Sequence, residues 1–209
     1  MAGAAQERAD LLEEHRAGRP SRATRSWEER EPPLRELPDD VLRARLVTEA
    51  TRFARAVASL APGETIAYTG WGMGADRLRT HSHSEAALHR WDLVGDDDTG
   101  RGLLAAEALT SHALAVFAAI PALAEAQRWV HPSFTARPVR LRSPDRPDVL
   151  VAPGSPLSLV ARGDGDPVVE LDASDRLLVL WGRCPPALRP CSGGAITVDD
   201  ILGRRLRPR

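Results

Sequence analysis

Apolar residues in the first part of the chain recur at helical spacing. After Pro38, the sequence places Leu42, Leu46, Ala50, Phe53, Val57 and Leu60 at intervals of three and four. This spacing predicts an amphipathic helix that ends at "APGE", residues 61–64. A second helix is predicted from Asp76 to Leu93, and a third over 102–123, with an interruption near Pro121. The first 125 or so residues are therefore predicted to be all-helical.

The pattern changes after "HPSFTARP". Short β-rich runs follow, separated by Pro, Gly and Asp: "PVRLRS", "DVLVA", "LSLVARG", "PVVELD" and "RLLVLWG". The apolar run Leu177 to Trp181 fits either a buried strand or the start of a helix. We therefore predict a boundary near residue 132 and a small α/β domain over residues 133–209.

The N-terminal stretch has a different composition. Residues 1–36 are rich in Arg, Glu and Pro and, beyond a short helix over 5–16, lack a sustained apolar period. The sequence thus predicts three segments: an exposed, poorly structured part over 1–36, a helical bundle over 37–132, and the α/β domain over 133–209.

Composition narrows the function classes. The net charge is -1, and the 28 cationic side chains are dispersed among 29 acidic ones, which argues against nucleic-acid binding. All 28 are Arg, which is typical of a GC-rich bacterial genome and says nothing about function. Cys184 and Cys191 are too few for a disulfide framework and are read as small buried hydrophobes. No run approaches the roughly 18 apolar residues of a membrane span, and the N-terminus has no apolar leader core. We expect a cytoplasmic protein that does not bind a membrane.

Candidate chemistry is concentrated in "HSHSEAALHRWDL", residues 81–93. At about 100° per residue, one helix face carries Leu78, His81, Ser82, Glu85, Leu88, His89, Asp92 and Leu93. The leucines mark this face as inward. Burying ionisable groups there is costly unless they are paired or bind a metal.

Glu85 and His89 are the candidate metal ligands because their i, i+4 spacing lets one helix offer both to one ion. His81 lies about 12 Å along the axis from His89, too far to share that ion, and His83 points the other way. Asp92 is better placed to fix the tautomer of a ligating imidazole. A catalytic zinc usually has three protein ligands, so another element must supply one. The alternative is a Glu–His pair in a polar network without metal.

The stretch "TGWGMGADRLRTHSHSEAALHRWDL", with "LAVFAAIPALAEA" and "DRLLVLWGR" at matching distances, resembles the mycothiol-dependent maleylpyruvate isomerase family over about residues 40–185. The resemblance implies an α+β protein: a truncated DinB-like four-helix bundle followed by a small α/β C-terminal domain. It also implies a metal, typically zinc, held by Glu85, His89 and a His on an earlier, Trp-containing helix. No segment before residue 40 matches that helix. His15 lacks the expected Trp, so the chain is expected to begin after the ligand helix.

The resemblance further implies a metal-dependent isomerase or transferase that uses mycothiol or a similar thiol. In the family reaction, the thiolate adds to the cis double bond of maleylpyruvate, and elimination after rotation gives the trans isomer. Such a dicarboxylate-like small molecule needs a cation, for which Arg183 in "LWGRC" is the candidate. Arg183 is equally well read as a surface residue that closes a turn.

A second hypothesis comes from a different class of protein: a non-catalytic, truncated bundle that binds a small molecule or a protein partner without metal. The two hypotheses differ at the third ligand. A monomer or a homodimer is compatible with either.

Overall fold

The computed structural model describes residues 1–119, 138–152, 155–164, 166 and 168–183. The chain divides into two compact units, Met1–His89 and Arg90–Arg209. The described residues contain helices in both units and a mixed sheet in the second. The α+β class with an N-terminal helical domain is therefore confirmed. The division falls within a helix rather than at the predicted boundary near residue 132.

The first unit consists of helices and one hairpin. Its elements are α1 (Ala2–Arg16), α2 (Trp27–Arg30), α3 (Pro32–Arg35), α4 (Asp39–Ala58), β1 (Ile66–Tyr68), β2 (Trp71–Met73) and α5 (Ala75–Val94), the last continuing past the boundary. The helices predicted over 38–60 and 76–93 correspond to α4 and α5. Apolar periodicity alone located both within two residues of their ends.

Helix α1 packs along α4 and supplies part of the core. Ala9 and Leu12 of α1 lie in one cluster with Phe53 and Val57 of α4. The prediction of an exposed, poorly structured segment over 1–36 is therefore wrong for α1. The buried face of α1 could not be recognised from the sequence because small alanines form much of it, and because two charged residues, Glu7 and Arg8, are buried beside them.

The all-helical prediction is also wrong over residues 66–73, where β1 and β2 form an antiparallel hairpin. Thr69 and Gly70 occupy its turn with φ of 52° and 79°. Two consecutive positive φ values are characteristic of a type I′ turn, whose twist suits a two-residue hairpin. Strands of three residues are too short to show an alternating pattern.

The second unit combines helices with a four-stranded sheet. Its elements are α6 (Asp98–Leu104), α7 (Glu107–Ala119), β3 (Val139–Arg142), β4 (Asp148–Val151), β5 (Ser158–Val160), β6 (Val168–Glu170) and α8 (Ala173–Leu180). The strand order is β5-β4-β3-β6, antiparallel except for β3 and β6. Strand valines and leucines pack with Val179 of α8. The run Leu177 to Trp181 is thus the end of a helix and not a strand.

The third predicted helix, over 102–123, is replaced by α6 and α7, with a break at residues 105–106. The predicted interruption near Pro121 lies outside the described residues. No single described helix is both long and apolar enough to span a membrane, while α6 and α7 together meet that requirement by length and composition across a bend of 59°.

Candidate metal centre

One face of α5 is buried, and the candidate ligands lie at its edge. Leu78, His81 and Leu88 are buried as predicted, together with Ser84 and Ala87. Glu85 and His89 are partly exposed, with 31% and 45% of their side-chain surface accessible. The prediction that Leu93 faces inward is wrong, since this residue is 82% exposed. A ligand pair at the edge of a buried face is supported by the core and still reachable from solvent.

Glu85 and His89 approach each other closely. The distance from His89 Nε2 to Glu85 Oε2 is 3.6 Å. Two ligands of a tetrahedral zinc, at bond lengths near 2.1 Å, lie about 3.4 Å apart. Carboxylate oxygen and imidazole nitrogen are also donors that zinc accepts. The pair therefore fits two positions of a zinc site by chemistry and spacing, and it equally fits a direct Glu–His ion pair.

Residues from other elements of the first unit surround this part of α5. The imidazole of His81, one turn before Glu85, meets the Tyr68 ring edge-on, with centroids 5.4 Å apart. Arg8 of α1 is 5% exposed, and its Nη1 donates a hydrogen bond of 3.4 Å to the Tyr68 hydroxyl. The Arg8 guanidinium also lies over the Phe53 ring at 5.4 Å. Sequence reasoning missed Arg8 because it lies in the segment predicted to be exposed.

The charges around Glu85 keep it ionised. Burial by itself raises the pKa of Glu85, but interaction with the His89 imidazole and the charges of His81 and Arg8 outweigh it and lower the pKa to about 2. Burial lowers the pKa of His81, an effect that Glu85 opposes and Arg8 adds to. At neutral pH, Glu85 is therefore a carboxylate, and no proton competes with a cation for its oxygens.

A third ligand is not found in the part of the chain that the structure describes. No group of three or more His, Cys, Asp or Glu side chains there is arranged to hold a metal ion. His81, Glu85 and His89 thus do not converge, in keeping with the axial separation of the two histidines. His15 is exposed, with Nε2 3.9 Å from Glu64 Oε1, and joins no such group. Cys184 and Cys191 lie outside the described residues.

Arg183 and Asp92 form a bidentate ion pair within the second unit. Arg183 Nε donates to Asp92 Oδ1 at 2.7 Å and Nη2 to Oδ2 at 2.6 Å, while Nη1 donates to the Trp181 carbonyl at 3.2 Å. Asp92 was predicted to orient a ligating imidazole, and in the structure both its oxygens accept hydrogen bonds from Arg183. The pair joins the "RWD" and "WGR" motifs, 91 residues apart. Arg183 as a substrate-binding cation stays a prediction.

The first unit has the character of a DinB-like helical bundle that carries a Glu–His pair one turn apart on a long helix. Residues 1–94 match the family model described as the mycothiol maleylpyruvate isomerase N-terminal domain. The matched residues include Glu85 and His89, and the match supports the family that the resemblance implied. Neither the curated proteins nor the solved structures include a match to the chain.

Proposed function

We propose that this chain is a metal-dependent enzyme that uses mycothiol or a similar low-molecular-weight thiol, an isomerase or transferase of the maleylpyruvate isomerase type. The observation that carries the proposal is the Glu85–His89 pair, whose 3.6 Å separation suits a shared ion. The pair lies inside the matched domain, and the domain supports a function associated with mycothiol.

Glu85 and His89 would hold a divalent metal, with zinc the expected ion. When bound, the metal supplies the positive charge that keeps a thiol as thiolate at neutral pH. Glu85 contributes a carboxylate that is already deprotonated. Partial exposure of both side chains leaves room for a thiol to enter. In the second unit, Asp92 fixes the guanidinium plane of Arg183, our candidate for binding a carboxylate of a dicarboxylate-like substrate.

Metal analysis of the purified chain tests this proposal. We expect about one zinc per chain in the parent, and at least a tenfold loss of zinc affinity in Glu85→Ala and in His89→Ala, because each removes a ligand. His83→Ala is the matched control, since it changes a histidine of the same helix that was not assigned as a ligand. Thiol-dependent conversion of maleylpyruvate, measured by absorbance, is expected to decrease in the two variants that lose zinc. A parent chain that binds no zinc contradicts the proposal.

A second candidate function is a metal-free bundle that binds a small molecule or a protein. It is favoured by the direct Glu85–His89 contact and by the charge of Arg8, which together balance the carboxylate without an ion. For this function we expect no zinc in the parent chain and a lower melting temperature in His89→Ala. The two functions are therefore separated by one set of variants.

A further inference from the structure

One arginine of the first unit is buried among aromatic rings. Arg8 of α1 is 5% exposed, and its guanidinium lies over the Phe53 and Tyr68 rings, 5.4 and 5.6 Å from their centroids. Its Nη1 donates to the Tyr68 hydroxyl at 3.4 Å. Aromatic faces attract a cation, but a neutral ring does not cancel its charge. Arg8 therefore carries a full positive charge in the interior of this unit.

Other arginines that contact α1 are paired with carboxylates. Arg25 Nε donates to Glu7 Oε2 at 2.6 Å, and Arg52 Nη2 lies 2.6 Å from Glu13 Oε2. Arg8 differs from them, since no carboxylate within the described ranges of the chain lies at ion-pair distance from it. Buried charges in proteins are normally compensated by an opposite charge. The charge of Arg8 thus acts on carboxylates that lie farther away.

The Tyr68 ring connects Arg8 to the helix that carries Glu85. This ring meets the His81 imidazole edge-on, with centroids 5.4 Å apart, and His81 lies one turn before Glu85 on α5. Burial raises the pKa of Glu85, and the charge of Arg8 is among those that outweigh it. Burial lowers the pKa of His81, and the charge of Arg8 adds to this effect. The guanidinium, the phenol and the imidazole therefore form one cluster whose charge reaches the candidate ligand.

The effect of Arg8 on a bound cation has the opposite sign to its effect on the Glu85 carboxylate. A positive charge that stabilises a carboxylate repels a metal ion held by the same oxygens. The repulsion grows with the charge of the ion, and a buried guanidinium is screened less by salt than an exposed one. Arginine also keeps its charge at every pH of interest. Glu85 is thus never free of this competing charge.

We propose that Arg8 limits the affinity of the Glu85–His89 pair for a divalent cation by holding a fixed positive charge near the carboxylate. This inference rests on the proposed function, because it concerns the ion that the pair would hold. Arg8 also partly compensates Glu85 when no ion is bound, so the pair does not depend on the metal for its stability. The expected consequence is a site that releases its metal more readily than the ligands alone would allow.

Zinc affinity of the full chain, measured by competition with a chromophoric chelator, tests this role. Arg8→Met removes the charge and keeps a flexible side chain that packs well against aromatic rings. We expect its zinc affinity to be about threefold or more above that of the parent, because the repulsion is lost. Arg8→Gln, which keeps a donor for the Tyr68 hydroxyl, is expected to show the same rise. Arg8→Lys keeps the charge and is expected to stay within about twofold of the parent.

Arg77→Met is the matched control. The Arg77 guanidinium also lies over an aromatic ring, that of Trp71, at 4.3 Å, but this residue is exposed on α5. Its charge is therefore screened by solvent, and zinc affinity is expected to match that of the parent. Circular dichroism establishes that each variant is folded. A purely structural role of Arg8 would leave zinc affinity unchanged or reduce it, so only the loss of its charge accounts for a rise.

The outcomes separate this inference from the proposed function. Unchanged or lower zinc affinity in folded Arg8→Met and Arg8→Gln overturns the inference, even where the parent binds zinc as proposed. An equal rise in Arg8→Lys also overturns it, because the charge is then not responsible. Zinc binding that appears in Arg8→Met but is absent from the parent supports the inference and contradicts the proposed function. Absence of zinc binding from the parent and from both neutral variants overturns both.

Discussion

Two carboxylates in the first unit, Glu7 and Glu85, have lowered pKa values for different structural reasons. Glu7 is fully buried and is held by two guanidinium groups, with Arg22 Nη1 at 2.5 Å and Arg25 Nε at 2.6 Å. The Arg25 backbone N–H adds a third hydrogen bond at 2.8 Å. Glu85 is partly exposed, and His89 Nε2 lies 3.6 Å from its Oε2.

The difference distinguishes a structural carboxylate from one available for binding. The partners of Glu7 are permanently charged arginines, which cannot bind a metal ion. Both oxygens of Glu7 already accept hydrogen bonds from them. In the proposed metal site, the imidazole of His89 would itself bind the ion, because a neutral imidazole is a zinc ligand. Both carboxylates therefore have a lowered pKa, but they differ in the type of partner and in the exposure of the side chain.

The largest effect is expected from Glu7→Gln. The substitution removes the charge that accepts hydrogen bonds from two guanidinium groups at a buried position, and we expect a loss of about 3 kcal/mol in the free energy of unfolding. Glu85→Gln is expected to cost less than about 1 kcal/mol, because a partly exposed pair is screened by solvent. Urea denaturation of both variants measures the difference. Glu28→Gln, at an exposed position of α2, is the control. Equal losses for the two substitutions would contradict the distinction.

The contribution of Glu7 to the free energy of unfolding is also expected to decrease gradually as the pH is lowered. Burial alone raises the pKa of Glu7, but hydrogen bonds from Arg22 and Arg25 lower it below the ordinary value of 4.5. A carboxyl with a lowered pKa in the folded state stabilises the protein fully above its unfolded pKa and loses that contribution as pH falls. The stability difference between the parent and Glu7→Gln is thus expected to be constant above pH 4.5 and to shrink below it. Urea denaturation across this pH range measures it. A difference that widens on acidification would reverse the assigned sign.

The contrast also explains which features could be predicted from sequence. Helices α4 and α5 were predictable because apolar residues mark their buried faces, and the i, i+4 spacing identified Glu85 and His89 as neighbours. Glu7 and Arg8 could not be predicted as buried, since their burial depends on arginines from the loop after α1 and on the Phe53 and Tyr68 rings. Such contacts are long-range and leave no local period. The hairpin at 66–73 was missed because its strands are too short for an alternating pattern.

A smaller effect is expected when Glu7 loses only one of its two guanidinium partners. Arg22 also bonds Glu14 at 2.8 Å, and its side chain is 31% exposed. We expect Arg22→Gln to reduce the free energy of unfolding by about 1 kcal/mol, because Arg25 still compensates the buried carboxylate. Thermal and urea denaturation measure this loss. A cost as large as that of Glu7→Gln would mean that Arg25 alone cannot hold the carboxylate.

The smallest effect is expected from Arg79→Ala on the exposed side of α5. Arg79 Nη1 bonds Asp76 Oδ1 at 2.9 Å, but the two side chains are 50% and 99% exposed. Water and salt screen such a pair, so its removal is expected to leave the urea midpoint indistinguishable from that of the parent. The geometry of this bond is no worse than that between Arg22 and Glu14, and exposure is the main difference. A loss comparable to that of Arg22→Gln would show that pairing alone sets the stability, and the contrast between Glu7 and Glu85 would lose its basis.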